Sequence, residues 1–555
     1  MTGSYDAIVV GGGHNGLVAA AYLARDGART LVLEGRRTLG GAATTEQPWP
    51  DAPHLSVTRL SYVMSLMPPT IVKDLHLERH GYKVHPMGPY YQAFPEGGSL
   101  TIYDDEARTY DEIARWSKKD AEAWPKWNAW LAGLADVMGP LLTRVPPTIG
   151  SHSPSDLADL ARLVWSNRGV DTRTIADITR LMSMSIADLL DDWFESPQVK
   201  GAMAVNGVIG TWAGPYAPGT AYVMAHHSIG DVGDGAGHSQ QLGSWGYPEG
   251  GMGAVSSAIA RSAQQFGAEI RTDARVLSVT TRNGRATGVV LENGEELSAP
   301  LIVTTLHPKI AFLEHLPRTE LPEEFVGDIE RWNTRSGVVK INLALSELPN
   351  FTANPSTGLP GGLAEHHTGS VEMAPSMEFI ERAFQDAREG RAALLPFSDG
   401  VIPTTLDKTL NPDGTHIFSL FTQYVPHEWS EAPHTEDLDA YADRLIDLYD
   451  QVAPGFAASI THRDIVGPNQ MQEEYGLIGG NIFHGELTPE QLFHMRPAPG
   501  YADFRTPIAG LYNGSSATHG GGGVCGIPGW QAAKAAIRDR RSRWQRLRGA
   551  VGRAS

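Results

Sequence analysis

Residues 6–42 read "DAIVVGGGHNGLVAAAYLARDGARTLVLEGRRTLGGA", and they decide the fold. Asp6 to Val10 has the form of a short buried strand. It runs into Gly11, Gly13 and Gly16, which have the G-x-G-x-x-G spacing. The segment that follows, rich in alanine, predicts a helix ending at Gly27. Glycines at these points permit a tight turn, close approach of a pyrophosphate and close helix-on-strand packing, while the helix N-terminus presents free N–H groups to phosphate. A second strand, "TLVLE", ends in Glu34, 18 residues after Gly16. A carboxylate there accepts hydrogen bonds from a ribose hydroxyl. Strand, glycine turn, helix, strand and acid together predict a dinucleotide site.

The residues after Glu34 bear on which dinucleotide. Arg36, Gly40 and Gly41 stand where the chain passes back under the phosphates, a pattern that resembles the extended FAD fingerprint of the glutathione-reductase-like flavoproteins. "GGMG" at 250–253 invites a second fingerprint, but no apolar strand precedes it and serine replaces the third glycine. One dinucleotide is therefore expected.

Composition narrows the function. A chain of 555 residues with 61 glycines predicts several units rather than one core. A formal charge of −18 argues against a nucleic-acid partner. No apolar run approaches the ~20 residues of a membrane span. The first strand begins by residue 6, so no leader peptide and a cytoplasmic protein are expected. Cys525 is the single cysteine, which excludes dithiol chemistry within one chain and any cysteine-cluster zinc site. No metal is expected.

The organisation follows from where the nucleotide pattern is left and resumed. Residues 76–240 read as mainly helical, with Trp116, Trp124, Trp127 and Trp130 read as core aromatics and a substrate-facing wall as the alternative. From Gly246 a glycine-fed helix precedes β-rich runs turned at Asn283-Gly284 and Asn293-Gly294, both strong hairpin signals. Residues 311–499 mix strands ("GVVKINLAL", "HIFSLFTQYV") with helix, and "GLYNGSSATHGGGGVCGIPGWQAAKAAI" at 510–537 returns to strand, glycine loop and helix. The expectation is an α/β protein: a discontinuous Rossmann FAD-binding domain over 1–75, 241–310 and 500–555, interleaved with an α+β substrate domain over 76–240 and 311–499.

With these segments in view, the chain resembles the phytoene desaturase-like FAD-dependent oxidoreductase family, nearest its branch of carotenoid ketolases and pyridine nucleotide-disulfide oxidoreductase domain-containing protein 2. The likeness rests on the N-terminal fingerprint, "LSYVMSLMPP", "WSKKDAEAWPKW", "WGYPEGGMGAV", "KINLALSELP", "GGNIFHGELTPEQL" and the C-terminal glycine segment. It implies FAD held by Gly11, Gly13, His14, Asn15, Gly16, Glu34, Arg36, Gly40, Gly41 and Ala42, with Val276 at the adenine end and Gly514, Gly523 and Val524 by the pyrophosphate and flavin. The family's Thr-His-Pro-Gly-Gly-Gly motif is altered, since Gly520 stands where the proline belongs.

Flavin oxidation of a C–H bond needs an oriented substrate and a proton acceptor. His519, before the glycine loop, is the first candidate; His484 and Arg496 follow. Cys525 is read as a small loop residue, with a covalent flavin tether as the alternative. The function expected is dehydrogenation or oxygenation of a small apolar substrate, polyene or isoprenoid in kind, with electrons passing to dioxygen or a quinone. The alternatives are a flavin-dependent saturase or isomerase, an amine oxidase, or a flavin-bound interaction protein without turnover. In the tail, Trp530, Ala533, Ile537, Trp544, Leu547 and Val551 form one helical seam among Lys534, Arg538, Arg541, Arg543, Arg546 and Arg548. Two roles are open to it: docking on the protein's own body, and peripheral contact with an anionic membrane.

Overall fold

The computed structural model describes residues 5–148, 150–151, 154–228 and 244–551. Two sheets organise it. The first has five strands in the order Leu511–Asn513, Ile302–Thr304, Ala7–Val10, Thr30–Leu33, Glu269–Arg271, all parallel. Its three central strands are buried along their whole length because both faces are covered. Ala7, Val9, Val32 and Val303 pack under the helices His14–Arg25, Met252–Gln265 and Ile527–Val551, while Ile8, Val10, Leu31, Leu33 and Ile302 pack against the strands and helices of 274–329. The fold is α/β with a Rossmann core.

Both Asn-Gly turns join strands of one antiparallel meander, Val276–Thr281, Ala286–Leu291 and Glu296–Ser298. The strand ahead of "GGMG", Gly246–Pro248, pairs antiparallel with Val84–Pro86 and stands outside the parallel sheet. The glycines there serve the start of a packing helix: Gly253 donates its N–H to the Thr45 hydroxyl at 3.0 Å.

The second sheet has seven strands in the order Ile460–Val466, Val338–Leu345, His416–Gln423, Phe397–Val401, Ser370–Met373, Tyr90–Ala93, Ser99–Ile102. Within the mainly helical stretch 76–240, residues 84–102 are thus strand-forming, and the hairpin Tyr90–Ile102 completes a sheet built chiefly from residues 338–466. Trp124 and Trp127 are core residues, with Trp127 wedged among Trp130, Trp193 and Phe194.

The last helix docks on the first. Trp530, Ala533 and Ile537 join the core under helix His14–Arg25. Arg540 donates to the Asp26 carboxylate at 2.6 Å, Arg541 also pairs with Asp26, and Arg505 bridges to Asp539 at 2.8 Å. The side chains of Arg543, Trp544, Arg546, Leu547, Arg548 and Val551 lie outside the described ones.

Candidate functional site: a dinucleotide cradle opening on a cavity

Gly11 leaves the first strand at φ +101°, a conformation that favours glycine. Gly16 packs so closely that a Cβ on it would lie 1.9 Å from the Gly11 carbonyl oxygen. Gly12 donates its N–H to the Glu34 carboxylate at 2.7 Å, and Arg36 donates its own N–H to the other oxygen at 2.8 Å. The return segment closes the cradle: Gly40 donates to the Gly12 carbonyl at 2.8 Å and bridges Gly13. The helix beginning at His14 has no side-chain cap, so its terminal N–H groups face the cradle unclaimed by a side chain. His14 Nε2 is buried without a partner, and burial lowers that ring's pKa to about 4. A glycine-lined cradle, a fixed carboxylate and an unpartnered buried ring nitrogen fit a dinucleotide.

The other expected cofactor residues fall around this cradle or behind it. The Arg36 guanidinium bonds Glu46 at 2.9 Å and stacks 4.3 Å over the Tyr475 ring, so it ties the return segment to the second sheet's side. Asn15 donates to Ser516 Oγ at 2.9 Å, which brings the C-terminal loop to the helix start. Val276 begins the meander, two residues after Ala274 bonds the Glu34 carbonyl at 2.8 Å. Gly514 donates to the Thr304 carbonyl at 2.8 Å. Ala42, Gly523 and Val524 line the cavity described below.

The three residues first considered for proton transfer are placed differently from one another. His519 Nε2 donates to the Leu141 carbonyl at 2.9 Å, because a carbonyl only accepts, and burial lowers the ring to about 4. It is not among the cavity-lining residues. Arg496 is 2% exposed and donates to the carbonyls of Phe483 (2.7 Å), Thr518 (3.2 Å), Ser516 (3.2 Å) and Gln491 (3.4 Å), so it fastens two loops together. His484 alone of the three lines the cavity; its Nδ1 is buried and unpartnered, and burial lowers the ring to about 3. Cys525 is buried with Sγ 3.2 Å from the Gly520 carbonyl, and burial pushes the thiol up to about 12, which disfavours the nucleophilic thiolate. Gly520 itself sits at φ +72°, closed to proline, so the backbone here takes a path the usual proline would forbid.

A cavity of about 860 Å³ runs from His14, Ser516 and Gly523 at the cradle to the seven-stranded sheet. Leu60, Leu66, Trp124, Leu131, Ile209 and Phe483 give it an apolar wall. The sheet side is polar, which an apolar substrate alone would not call for. Strand register puts Lys340, Phe421, Asp399, Glu372 and Gln92 opposite one another in a single row across five strands. Directly opposed residues share a face, and Lys340, Phe421, Asp399 and Glu372 all line the cavity. Tyr62 lies over this row, stacked on Phe421 at 5.9 Å and donating its hydroxyl to Asp399 at 2.6 Å. Lys340 Nζ sits 4.9 Å from the Tyr62 ring centre and 2.5 Å from Ser419 Oγ. Burial lowers Lys340 to about 7, while burial and then the neighbouring Asp399 carboxyl hold Glu372 well above the usual carboxylate range. Sequence reading passed over these groups; the signal for Lys340 was one lysine inside the apolar run "GVVKINLAL".

Comparison with known proteins completes the assignment. Residues 9–75 match the NAD(P)-binding Rossmann-like domain, and residues 218–406 match the flavin containing amine oxidoreductase family. Pyridine nucleotide-disulfide oxidoreductase domain-containing protein 2 of Rattus norvegicus is 38% identical over 96% of this chain and 94% of its own length. The chain belongs to the flavin-containing amine oxidoreductase family. Beside the rat protein it stands in the phytoene desaturase-like superfamily of FAD oxidoreductases. A limonene dehydrogenase polypeptide of Castellaniella defragrans is 25% identical over 96% of this chain and 94% of that protein. A putrescine oxidase variant shares the fold, with TM-score 0.58 and 15% identity over 97% of this chain and 99% of that one.

The cofactor of a flavin-containing oxidoreductase of this family is FAD, and the Glu34 cradle fits its dinucleotide. When bound, FAD supplies a two-electron acceptor. What the chain supplies is a cavity reaching from cradle to sheet and a set of proton-holding groups on the sheet side. The single cysteine leaves a member of this family without the thiol pair of a disulfide reductase.

Proposed function

We propose that this FAD oxidoreductase dehydrogenates or oxygenates a substrate with a long apolar body, isoprenoid in kind, and passes the electrons to dioxygen or a quinone. The observation that carries this reading is the continuity of one cavity from the cradle residues to a wall of leucine, isoleucine and tryptophan. The similarity to a protein named for limonene dehydrogenation supports an apolar isoprenoid. In this reading the wall orients the substrate and excludes water, which strengthens every electrostatic interaction inside. Lys340, held near neutral pKa, accepts the proton released as hydride leaves the substrate. His484, with its unpartnered Nδ1, is the second group on the cavity able to do so. Oxidation of an amine is the competing reading, favoured by the Asp399 carboxyl group on the cavity surface.

The test is anaerobic photoreduction of the holoenzyme, then re-oxidation by air or by a soluble quinone, with limonene and a short polyene as trial substrates. Flavin bleaching by an apolar substrate in the dark supports the reading. Bleaching only by small polar amines overturns it.

A further inference from the structure

Helix Pro154–Ser166 turns its apolar side outward. None of its described side chains is buried. Leu157 is 51% exposed, Leu160 42%, Val164 64% and Trp165 68%. At about 100° per residue these four and the exposed Ala161 fall within an arc of about 140°. The half-buried Asp156 and Leu163 lie outside it. An amphipathic helix of a globular protein faces its apolar stripe to the core. Here the stripe is on the surface, and large apolar side chains gathered there mark an interaction face.

Charge selects what covers this face. Neither Asp156 nor Asp159 stands on the arc, and Asp159 is paired with Arg162. Arg168, in the turn after the helix, lies 4.5 Å over the Trp165 ring and donates to the Trp165 carbonyl at 2.8 Å, with no carboxylate partner among the described residues. In a chain of formal charge −18, this apolar face is edged by cations and free of acids. An anionic bilayer complements it: the guanidinium and indole suit the headgroup level, and the leucine and valine side chains reach the acyl boundary. A second copy of the chain complements it less well, because a two-fold contact brings two Arg168 side chains to one apolar interface with no acid between them.

We propose that helix Pro154–Ser166 is a docking surface for an anionic lipid bilayer, with Leu157, Leu160, Val164 and Trp165 as its apolar anchors. The helix is fastened to the cavity's own wall. Helix Lys118–Leu142 lines the cavity with Trp124, Leu131 and Asp136, and Arg144, two residues beyond it, donates to Ser166 Oγ at 2.7 Å. Docking therefore brings the bilayer to the same helix that walls the cavity. The surface stands on its own geometry and does not depend on the substrate proposed above.

The test sediments the full-length holoenzyme at low salt with vesicles of phosphatidylcholine containing about 30% phosphatidylglycerol. The expected result is binding that Leu160→Glu/Val164→Glu weakens about tenfold, with FAD content and melting temperature unchanged because both side chains are exposed in the fold. If that variant loses FAD, Trp165→Ser decides in its place. A polarity-sensitive fluorophore on Ala161→Cys should shift to the blue on the vesicles; Cys525 is buried and is not expected to take the label. Absence of sedimentation overturns the proposal. Sedimentation without the blue shift also overturns it and assigns binding to another surface. Equal binding to phosphatidylcholine alone overturns the anionic requirement. Self-association in solution that Leu160→Glu/Val164→Glu abolishes, with no vesicle binding, overturns the bilayer in favour of a second copy.

Discussion

Tyr62 and Asp399, 337 residues apart in the chain, are joined by a 2.6 Å hydrogen bond at the floor of the cavity. The bond links the segment that returns from the nucleotide cradle to the middle of the seven-stranded sheet. Burial and then the charge of Asp399 hold the Tyr62 phenol far above its usual pKa, so it stays a donor at any working pH. Tyr62→Phe removes that donor and keeps the ring on Phe421. The expected outcome is unchanged FAD content, a melting temperature lower by a few degrees, and a flavin absorption band shifted by the lost hydrogen bond to Asp399; an unchanged spectrum would show that this hydrogen bond is not felt at the flavin.

Substitution Gly16→Ala places a Cβ 1.9 Å from the Gly11 carbonyl oxygen, an overlap of backbone with no flexible neighbour to yield. Purified variant should carry less than a tenth of the FAD of the unaltered protein, read as the ratio of 450 nm to 280 nm absorbance against about 2–4 kcal/mol of lost stability. Full occupancy would displace the cofactor from this cradle.

Lys340 predicts a pH dependence of stability. Its pKa falls from 10.5 in water to about 7 in the fold, by burial. Between these values the unfolded chain binds the extra proton, so stability rises with pH across that window, by up to about 1.4 kcal/mol per pH unit. In Lys340→Met that gain disappears. Urea unfolding of both proteins from pH 7 to pH 10 measures it, and parallel curves would refute a buried, titrating Lys340.

NADH and NADPH should reduce the flavin slowly or not at all, because among the described residues only the Gly11–Gly16 turn joins two strands of the parallel sheet through a glycine-started helix with an acid at the next strand's end. Stopped-flow mixing under anaerobic conditions checks this. Fast, saturating bleaching would reveal a second nucleotide site.

For the tail, vesicle co-sedimentation is the deciding measurement. Trp530, Ala533 and Ile537 are spent on the first helix, and Arg540 and Arg541 on Asp26. Deleting residues after Arg540 should therefore leave binding to anionic vesicles unchanged. A loss of binding at low salt would assign the remaining arginines to a membrane surface.

The legible part of this protein was local. The glycine turn, the carboxylate at the second strand's end and both Asn-Gly hairpins are encoded by residues within a few positions of one another, and each stands where its pattern puts it. The row Lys340, Phe421, Asp399, Glu372 and Gln92 could not be seen this way. Its members come from five strands, and alternation within a strand shows which side chains share a face without showing which strand lies next or in what register. Arg496 shows a second limit. An arginine in a glycine- and proline-rich stretch looks like a free cation, and only the folded loops reveal that four carbonyl oxygens enclose it.

The packing of the last helix on the first has a consequence for how the protein is made. The parallel sheet lacks its edge strand until Leu511–Asn513 has been synthesised, and helix His14–Arg25 lacks its cover until Ile527 and beyond emerge. Chains grow from the N-terminus at about 5–20 residues per second, so the glycine turn waits tens of seconds for the residues that complete it. Cofactor loading is thereby tied to the end of translation: a chain stalled or cut short before Asn513 has the fingerprint but not the sheet that shapes it. Yellow colour in a preparation is expected only of chains that extend past Asn513.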